Sequence, residues 1–421
     1  MKIISRLTAG YKNLETRLKP HVDIVLLALA VIVLVFALFR FGGKKAIADA
    51  AASTLVFTQW WQNELEPDTL ENLVREFEAL HPEIRITLNN MPYEETRKLF
   101  LDYKPDSDAG NSAKPGGILA VNPLWIPELE KNNLLHKRDV PETPLLTYFY
   151  PLFYNIDILR EAGFSRPPKN RSEFFAYAKA VTNAEAQRYG LALSLSPDDS
   201  RSIYTNVYPW VWAADATLLD KGRPALAQKA TVETLEFFAD LDREGLLYPN
   251  PFSMGENEKL NAFIKGRAAF MLGRVQDIEI LKRELGASHF SLTSIPSSDS
   301  YTGKPVFGAS GWALAPSQTG THQEEAKEFI SFLYEKKSVL AENAHAVPGA
   351  GSNPPAALDA FYAKAWDIFI AGDLVQEFNN VEKEADLEEA FRSGLARLFE
   401  DSRTSAEIAA EIQEKWEKIL N

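Results

Sequence analysis

Residues 54–88 read TLVFTQWWQNELEPDTLENLVREFEALHPEIRITL, and this stretch indicates the fold class. Residues 54–60 are typical of a buried strand, and residues 84–88 alternate apolar and polar side chains as a half-buried strand does. Between them, residues 67–80 repeat apolar side chains at helical spacing, with a proline at the start and His81-Pro82 at the end. A strand, a helix and a second strand in this order predict an α/β fold with a mostly parallel sheet.

The alternation of strands and helices continues along the chain. Further strands are predicted at residues 117–121, 191–195 and 268–272. Helices are predicted at residues 155–162, 172–181, 231–244, 256–265, 323–335, 387–399 and 405–420. The last of these helices opens with a predicted capping box, with Thr404 at the N-cap and Glu407 three residues later. The soluble part, roughly residues 50–421, is long enough for two domains.

Residues 22–41, VDIVLLALAVIVLVFALFRF, form the only stretch that is apolar enough to sit in a bilayer. About twenty helical residues reach roughly 30 Å, the thickness of a hydrocarbon core. We expect a single-pass transmembrane anchor, with residues 1–21 as a cytoplasmic lead and residues 42–52 as a linker. The soluble domain would lie on the extracytoplasmic (periplasmic) side of the inner or cytoplasmic membrane. The polar lead is long for a secretory signal peptide, but small-x-small sites at residues 46–48 and 48–50 leave cleavage open as the alternative.

The composition argues against several kinds of site. The 421 residues include no cysteine, which excludes disulfides, thiolate metal sites and cysteine catalysis. Residues 51–421 hold 37 Lys and Arg against 55 Asp and Glu, a net charge of −18, which opposes nucleic-acid binding. The sequence contains no dinucleotide-binding, P-loop, metalloprotease or nucleophile-elbow motif, and its six histidines are dispersed. We therefore predict no catalytic residue, no metal site and no cofactor.

Aromatic side chains follow several of the predicted strands. In α/β sheets, the loops at the carboxyl ends of the strands meet at the ligand crevice. A flat indole covers the apolar C–H face of a sugar, while neighbouring polar groups meet its hydroxyls. These positions predict ligand contacts by Gln59, Trp60, Trp61, Asn122, Trp125, Tyr204, Trp210, Trp212, Ser310 and Trp312. The alternative for each tryptophan is a place in the core.

Three longer stretches carry a family pattern. Residues 148–182 read YFYPLFYNIDILREAGFSRPPKNRSEFFAYAKAVT, and residues 237–270 read FFADLDREGLLYPNPFSMGENEKLNAFIKGRAAF. The third stretch combines IP at residues 295–296, GASGWAL at residues 308–314 and AKEFI at residues 326–330. The order and spacing of these motifs over residues 53–421 resemble the carbohydrate-type family 1 of extracellular solute-binding proteins, which serve ABC importers. The sequence departs from that pattern at Gly273-Arg274-Val275, where the family often has Gly-x-Trp.

The resemblance implies a two-lobed, periplasmic-binding-protein-like fold of type II, with the ligand in the cleft between the lobes. The first lobe would comprise residues 53–148 and 253–306, and the second lobe residues 149–252 and 307–421. Arg274 and Asp277 fall where the family often reaches its ligand, which adds them to the predicted ligand contacts. The alternative for these two side chains is an ion pair at a helix start.

The resemblance also implies a function. We expect a monomer that captures a sugar or oligosaccharide and delivers it to the permease subunits of an ABC importer. One alternative is the same scaffold used as an anchored sensor, or for another ligand such as a polyamine or a modified sugar. A second alternative is a glycan-active hydrolase or lyase, because glycosidase carboxylates need no fixed spacing in sequence.

Overall fold

The structure is a computed structural model, which describes residues 52–103, 114–199, 201–349, 360–375, 377–378, 381–400 and 403–421, with the backbone alone at residues 308–310. Over these residues, we find no helix with both the length and the apolar character needed to cross a membrane. The predicted anchor at residues 22–41 lies outside the described residues.

The chain divides into two units, of which the smaller covers residues up to 55 and residues 74–87. It contains the start of strand β1 (Ser53–Gln59), the end of helix α1 (Thr69–Leu80) and most of strand β2 (Ile84–Asn90). Inside this unit, the amide of Ser53 donates a hydrogen bond to the carbonyl of Glu83 at 2.9 Å, and Phe77 stacks on His81. The predicted strand–helix–strand order is therefore present, although the apolar side chain of Leu80 is exposed.

The larger unit covers residues 56–73 and 88–421 and contains two sheets. In addition to β1, the first sheet has strands β3 (Ile118–Val121), β4 (Leu146–Phe149), β11 (Val306–Pro316), β12 (Val347–Pro348) and β13 (Asp373–Val375). Five of these strands run in the order β12, β4, β11, β3, β1, and β13 pairs with β11. Strand β3 is parallel to β1, while β11 is antiparallel to both β3 and β4.

The second sheet has strands β5 (Leu152–Asn155), β6 (Tyr189–Ala192), β9 (Ala268–Leu272) and β10 (Phe290–Thr293). Their order is β10, β5, β9, β6, and a separate hairpin is formed by β7 (Leu219–Asp220) and β8 (Arg223–Pro224). Only Tyr150 and Pro151 separate β4 in the first sheet from β5 in the second. The chain therefore passes from one sheet to the other within two residues.

The structure contains helices at positions where none is predicted, and each predicted helix also lies close to a helix of the structure. Those of the larger unit beyond α1 are α2 (Tyr93–Asp102), α3 (Ile126–Lys131), α4 (Ile156–Glu161), α5 (Arg171–Val181), α6 (Ser202–Asn206), α7 (Tyr208–Trp212), α8 (Lys229–Arg243), α9 (Glu256–Ile264), α10 (Asp277–Glu284), α11 (Gln323–Glu335), α12 (Lys337–Asn343), α13 (Ala360–Ala371), α14 (Glu384–Glu400) and α15 (Ser405–Leu420). The predicted capping box at the start of α15 is confirmed, since Thr404 and Glu407 bond each other's backbone amides. This reciprocal pair satisfies two amides that the helix leaves without a partner.

Strand pairing corrects the predicted division of the chain into lobes. Residues 253–306 were expected with the first lobe and residues 307–421 with the second. However, β9 and β10 both pair with β5 in the second sheet, whereas β11 pairs with β3 and β4 in the first. The expected assignment of these strands is therefore reversed. Apolar strand patterns look alike in sequence whichever sheet receives them.

Candidate functional site

A cavity of about 740 Å³ lies within the larger unit. Trp60 directly follows β1 and Trp312 lies in β11 of the first sheet, while Glu256 reaches the cavity from the start of α9, a helix that packs on β9 of the second sheet. Tyr93 opens α2, and Arg201 directly precedes α6. Its volume is typical of a small-ligand pocket, and such pockets concentrate where two parts of a fold meet. The geometry makes it the leading candidate for a ligand site among the described residues.

An aromatic cluster forms the wall from the first sheet. Trp60 directly follows β1, and its ring lies 5.1 Å from Tyr93 and 5.3 Å from Trp125, centroid to centroid. Trp312 in β11 stacks face to face on Trp61 at 4.3 Å. Trp60 and Trp312 are only 2% and 1% exposed, so they border the cavity mainly as packed side chains. This packing holds the wall rigid.

Asn122 connects this wall to the end of β3. Its side-chain oxygen accepts a hydrogen bond from the amide of Leu124 at 3.1 Å, which caps the short 3-10 helix at Pro123–Trp125. Its amide nitrogen donates to the hydroxyl of Tyr93 at 3.0 Å. One buried side chain therefore fixes both the turn and the orientation of a cavity tyrosine.

A buried polar network holds the wall from the second sheet. Lys259, with its side chain 2% exposed, donates to Glu256 at 2.8 Å and to Asn206 at 2.9 Å. Glu256 also accepts from Asn206 at 3.0 Å and from the hydroxyl of Ser194. Burial opposes ionisation of Glu256, but Lys259 and these hydrogen bonds outweigh it, so the pKa of Glu256 is lowered. This places a fixed carboxylate at the cavity.

Arg274 and Asp277 line the cavity and also pair with each other. The guanidinium of Arg274 contacts Oδ1 of Asp277 at 2.9 Å and 3.3 Å, and the backbone amide of Arg274 donates to Oδ2 at 2.8 Å. Asp277 is the first residue of α10, so the ion pair at a helix start is present. Asp277 also raises the pKa of Arg274. Arg274 and Asp277 therefore line the cavity and form an ion pair with each other.

Two further carboxylates at the cavity have shifted pKa values. Glu64 is exposed in the wall, yet the surrounding protein desolvates its carboxyl and raises its pKa to about 6, against the opposing charge of Arg274. Tyr148 donates a weak hydrogen bond of 3.4 Å to Glu64. Burial and the negative charge of Glu256 raise the pKa of Asp199. Both acids therefore favour protonation more than a solvated carboxyl does.

The structure brings together five of the predicted ligand contacts at the cavity: Trp60, Asn122, Arg274, Asp277 and Trp312. Six others do not line it: Gln59, Trp61, Trp125, Tyr204, Trp210 and Trp212. The side chain of Ser310 lies outside the description.

The six residues away from the cavity are packed for identifiable reasons. Trp210 is fully buried between Phe174 and Phe237, at ring distances of 5.0 Å and 5.3 Å, and Tyr204 and Trp212 pack on each other in the same core. Trp61 and Trp125 lie behind the cavity-lining rings that they contact. Gln59 is buried and donates to Gln62 at 2.7 Å. The four tryptophans among them therefore lie in the core positions that were the alternative for each tryptophan.

Sequence reasoning missed several cavity residues, including Glu64, Tyr93, Tyr148, Tyr150 and Arg201. Tyr93 follows the end of β2, so the same strand-end argument could have found it. Tyr148 lies within β4, and Tyr150 falls in the crossing between the two sheets. Asp199 accepts the amide of Arg201 at 3.0 Å, as a turn residue does, and it also lines the cavity.

Several solved structures share this fold. The GacH receptor of Streptomyces glaucescens, solved unliganded and with acarbose, is 20% identical, with 88% of this chain and 98% of that chain covered at a TM-score of 0.69. Maltose-bound MalE3 of T. maritima is 18% identical, with 88% and 100% covered at a TM-score of 0.68. The sugar-binding protein MalE of Xanthomonas citri is 17% identical, with 87% and 97% covered at a TM-score of 0.69. These likenesses establish the two-lobed α/β, periplasmic-binding-protein-like fold.

Sequence comparison identifies the family. No curated protein matches this chain at a significant level. The profile of the bacterial extracellular solute-binding proteins, however, matches residues 62–339, well over half of the chain. The chain belongs to the family of bacterial extracellular solute-binding proteins.

Proposed function

We propose that this protein captures a saccharide in the cavity and delivers it to an ABC importer. The observation that carries the proposal is the cavity of about 740 Å³, lined from both sheets, in a chain of the solute-binding family. Its wall combines carboxylates, arginines and tyrosines, which suit the hydroxyls and C–H faces of a sugar. Two of the proteins of the same fold named above were solved with acarbose or maltose bound, and the third is a sugar-binding protein, which supports a saccharide here.

The connection between the sheets supports a closing movement. Tyr150 lines the cavity and, with Pro151, forms the direct link between β4 and β5. A hinge needs only a few such residues to change their backbone angles. A ligand that contacts both walls favours the closed form by the free energy of those additional contacts. The importer would recognise that closed form.

We also propose revised lobe boundaries. The first lobe takes its strands from residues 53–149 and 306–316, and the second from residues 152–293. The C-terminal helices belong with the second lobe, because Ser405 at the start of α15 donates to Glu236 of α8 at 2.6 Å. Trp416 of α15 also donates to the carbonyl of Leu387 in α14 at 2.9 Å.

The proposed location is the outer face of the inner or cytoplasmic membrane, with residues 22–41 as the anchor. The protein from its native host should sediment with membranes, resist release by high salt and retain residues 1–50. A soluble product whose N-terminal sequence begins at Asp49 or Ala51 would contradict the anchor and favour cleavage.

A thermal-shift screen tests the proposed function. A panel of maltose, maltotriose, maltotetraose, cellobiose and chitobiose should contain at least one compound that raises the melting temperature. A ligand at about 100 times its Kd stabilises the folded state by roughly 2.7 kcal/mol. Glu256→Gln should reduce the shift, whereas Glu414→Gln, on the exposed face of α15, should leave it unchanged. Stabilisation by a polyamine alone, or turnover of a saccharide, would favour the alternative functions instead.

A further inference from the structure

Arg201 lines the cavity directly before α6, and its guanidinium lies over the ring of Tyr204, 4.4 Å from the ring centroid. Its Nε, Nη1 and Nη2 atoms are all buried, and none has a hydrogen-bond partner among the residues that the structure describes. Within the same residues, no carboxylate forms an ion pair with it. A buried donor without a partner costs free energy, so this guanidinium needs an acceptor from outside the described protein.

Two tyrosine hydroxyls have the largest electrostatic effect on this guanidinium, those of Tyr93 and Tyr150. Both tyrosines line the cavity. The hydroxyl oxygen of Tyr93 accepts a hydrogen bond from Asn122 at 3.0 Å, and it lies near Arg201 but outside hydrogen-bond geometry. Over the described ranges, neither hydroxyl donates a hydrogen bond. Tyr93, Tyr150 and Arg201 therefore form a group of donors without acceptors, which we call the donor patch.

The charge with the largest effect on the donor patch is positive. Burial raises the pKa of Tyr150 to about 12, and Arg201 is the strongest charge acting on its hydroxyl, ahead of Glu256 and Asp199. Burial also raises the pKa of Tyr93, where Arg201 is again the strongest charge. At neutral pH, both phenols are therefore neutral donors beside a positive charge.

The cavity also contains seven carboxylates, but they do not bind Arg201. Three of them form ion pairs of 2.8–2.9 Å with other cations: Glu256 with Lys259, Asp277 with Arg274, and Glu279 with Lys282. The strongest charge acting on Glu64 is Arg274. The carboxylate with the largest effect on Arg201 is Glu384 of α14, which does not line the cavity. The acids that line the cavity therefore leave the donor patch free to take a ligand.

A carboxylate supplies the acceptors that the donor patch lacks. Each of its two oxygens only accepts hydrogen bonds, and its charge complements a guanidinium that has no ion pair among the described residues. A neutral hydroxyl also accepts, but it brings a proton that needs its own acceptor and supplies no counter-charge. Because protein covers the nitrogens of Arg201, a ligand would contact the two tyrosines, and the arginine would act on it through a poorly screened interior.

We propose that the ligand is a saccharide that bears a carboxylate, and that this carboxylate accepts hydrogen bonds from Tyr93 and Tyr150 beside Arg201. This inference rests on the proposed function and specifies the class of its ligand. Small organic acids share the carboxylate but lack the saccharide, so the test separates these two sources.

Calorimetric titration of the full-length protein tests the inference with matched probes. These are the tetramers of galacturonate, glucuronate and mannuronate, the methyl ester of each tetramer, maltotetraose and citrate. At least one acidic tetramer should bind about tenfold or more tightly than its own methyl ester, since a charge-assisted hydrogen bond is worth that factor or more. Added salt should weaken binding of the acid and leave binding of the ester unchanged.

Variants locate the preference for the acid over its ester. Arg201→Gln should remove most of it, whereas Arg160→Gln makes the same change on α4, where the side chain is 71% exposed, and should retain it. Arg201→Gln should also keep a melting temperature close to that of the native protein, because no hydrogen bond or ion pair with the described residues is lost. Tyr150→Phe retains the arginine and should reduce the preference about threefold, as the loss of one hydrogen bond does.

The possible outcomes are distinct. Equal or tighter binding of maltotetraose or of the esters overturns the inference and leaves the proposed saccharide function intact. Binding of citrate without any tetramer supports an anion site at the donor patch and overturns the saccharide function. A protein that binds no acidic tetramer, or an Arg201→Gln variant that retains the preference, overturns the inference. If Arg201→Gln does not fold, an unchanged preference in Tyr150→Phe overturns it instead.

Discussion

Lys259→Met is the most direct test of the buried ion pair that holds the cavity wall at Glu256. Lys259 is 2% exposed and pairs with Glu256, whose side chain is 22% exposed. Removing the ammonium leaves Glu256 and Asn206 without their shared donor. Breaking a buried ion pair costs about 3–5 kcal/mol, and the partial exposure of Glu256 places this one near the lower end, at about 3 kcal/mol.

Urea unfolding, followed by tryptophan fluorescence, measures that loss. The double variant Lys259→Met with Glu256→Gln should recover much of it, because the uncompensated carboxylate is then gone. Lys179→Met is the matched control, since Lys179 pairs with Glu244 on the surface, where both side chains are about half exposed or more. That exposed pair should contribute only about 0–1 kcal/mol.

The pH dependence provides an independent check. Because the pKa of Glu256 is lowered in the folded state, its contribution is present above the ordinary glutamate pKa of 4.5 and is lost as the pH falls through the folded value. Lys259→Met should weaken this dependence. The reasoning fails if Lys259→Met costs no more than Lys179→Met, or if the double variant is as unstable as the single one.

Three other predictions concern the strands, the core and the surface. Gly311→Ala should lower the melting temperature, because its Cβ would clash with the carbonyl oxygen of Leu146 in the paired strand; an unchanged melting temperature would count against the β4–β11 register. Trp210→Ala should lower the free energy of unfolding in urea by about 3–5 kcal/mol but leave the ligand affinity of the folded protein unchanged. A lower affinity would show that Trp210 belongs to the ligand site. Two hydrogen bonds from Arg166 and one from a backbone amide lower the pKa of Glu173 to about 2, so its contribution to stability is present above pH 4.5 and is lost as the pH falls through about 2. In Arg166→Ala, NMR titration should find the Glu173 pKa nearer 4.5, and an unmoved value would show that the pair does not cause the shift.

Local sequence patterns predicted the secondary structure well. Strand β9 and helices α11 and α15 have the predicted bounds, because hydrophobic period and capping residues are properties of neighbouring positions. Strand β6 was predicted two residues late and extends over Tyr189–Ala192. The order of the motifs also indicated the family, which the profile match confirms.

The candidate site was only partly predictable. Trp60 reaches the cavity directly after β1, as the strand-end argument expects, and Trp312 reaches it from within β11. Trp210 and Trp212 have the same residue type but lie in the core. An aromatic side chain suits either position, so its type cannot distinguish them. The sequence predicted ligand contacts by Arg274 and Asp277, with an ion pair between them as the alternative. The structure shows that the ion pair is present.

The sequence by itself determined the α/β class, the acidic balance, the apolar segment at residues 22–41 and the family pattern. Only the tertiary structure decided that β9 and β10 join β5 and that Glu64 and Glu256 line one cavity. The physical reason is that hydrophobic periodicity specifies which face of an element is buried. It does not specify which distant element covers that face, and this choice determines which polar side chains meet.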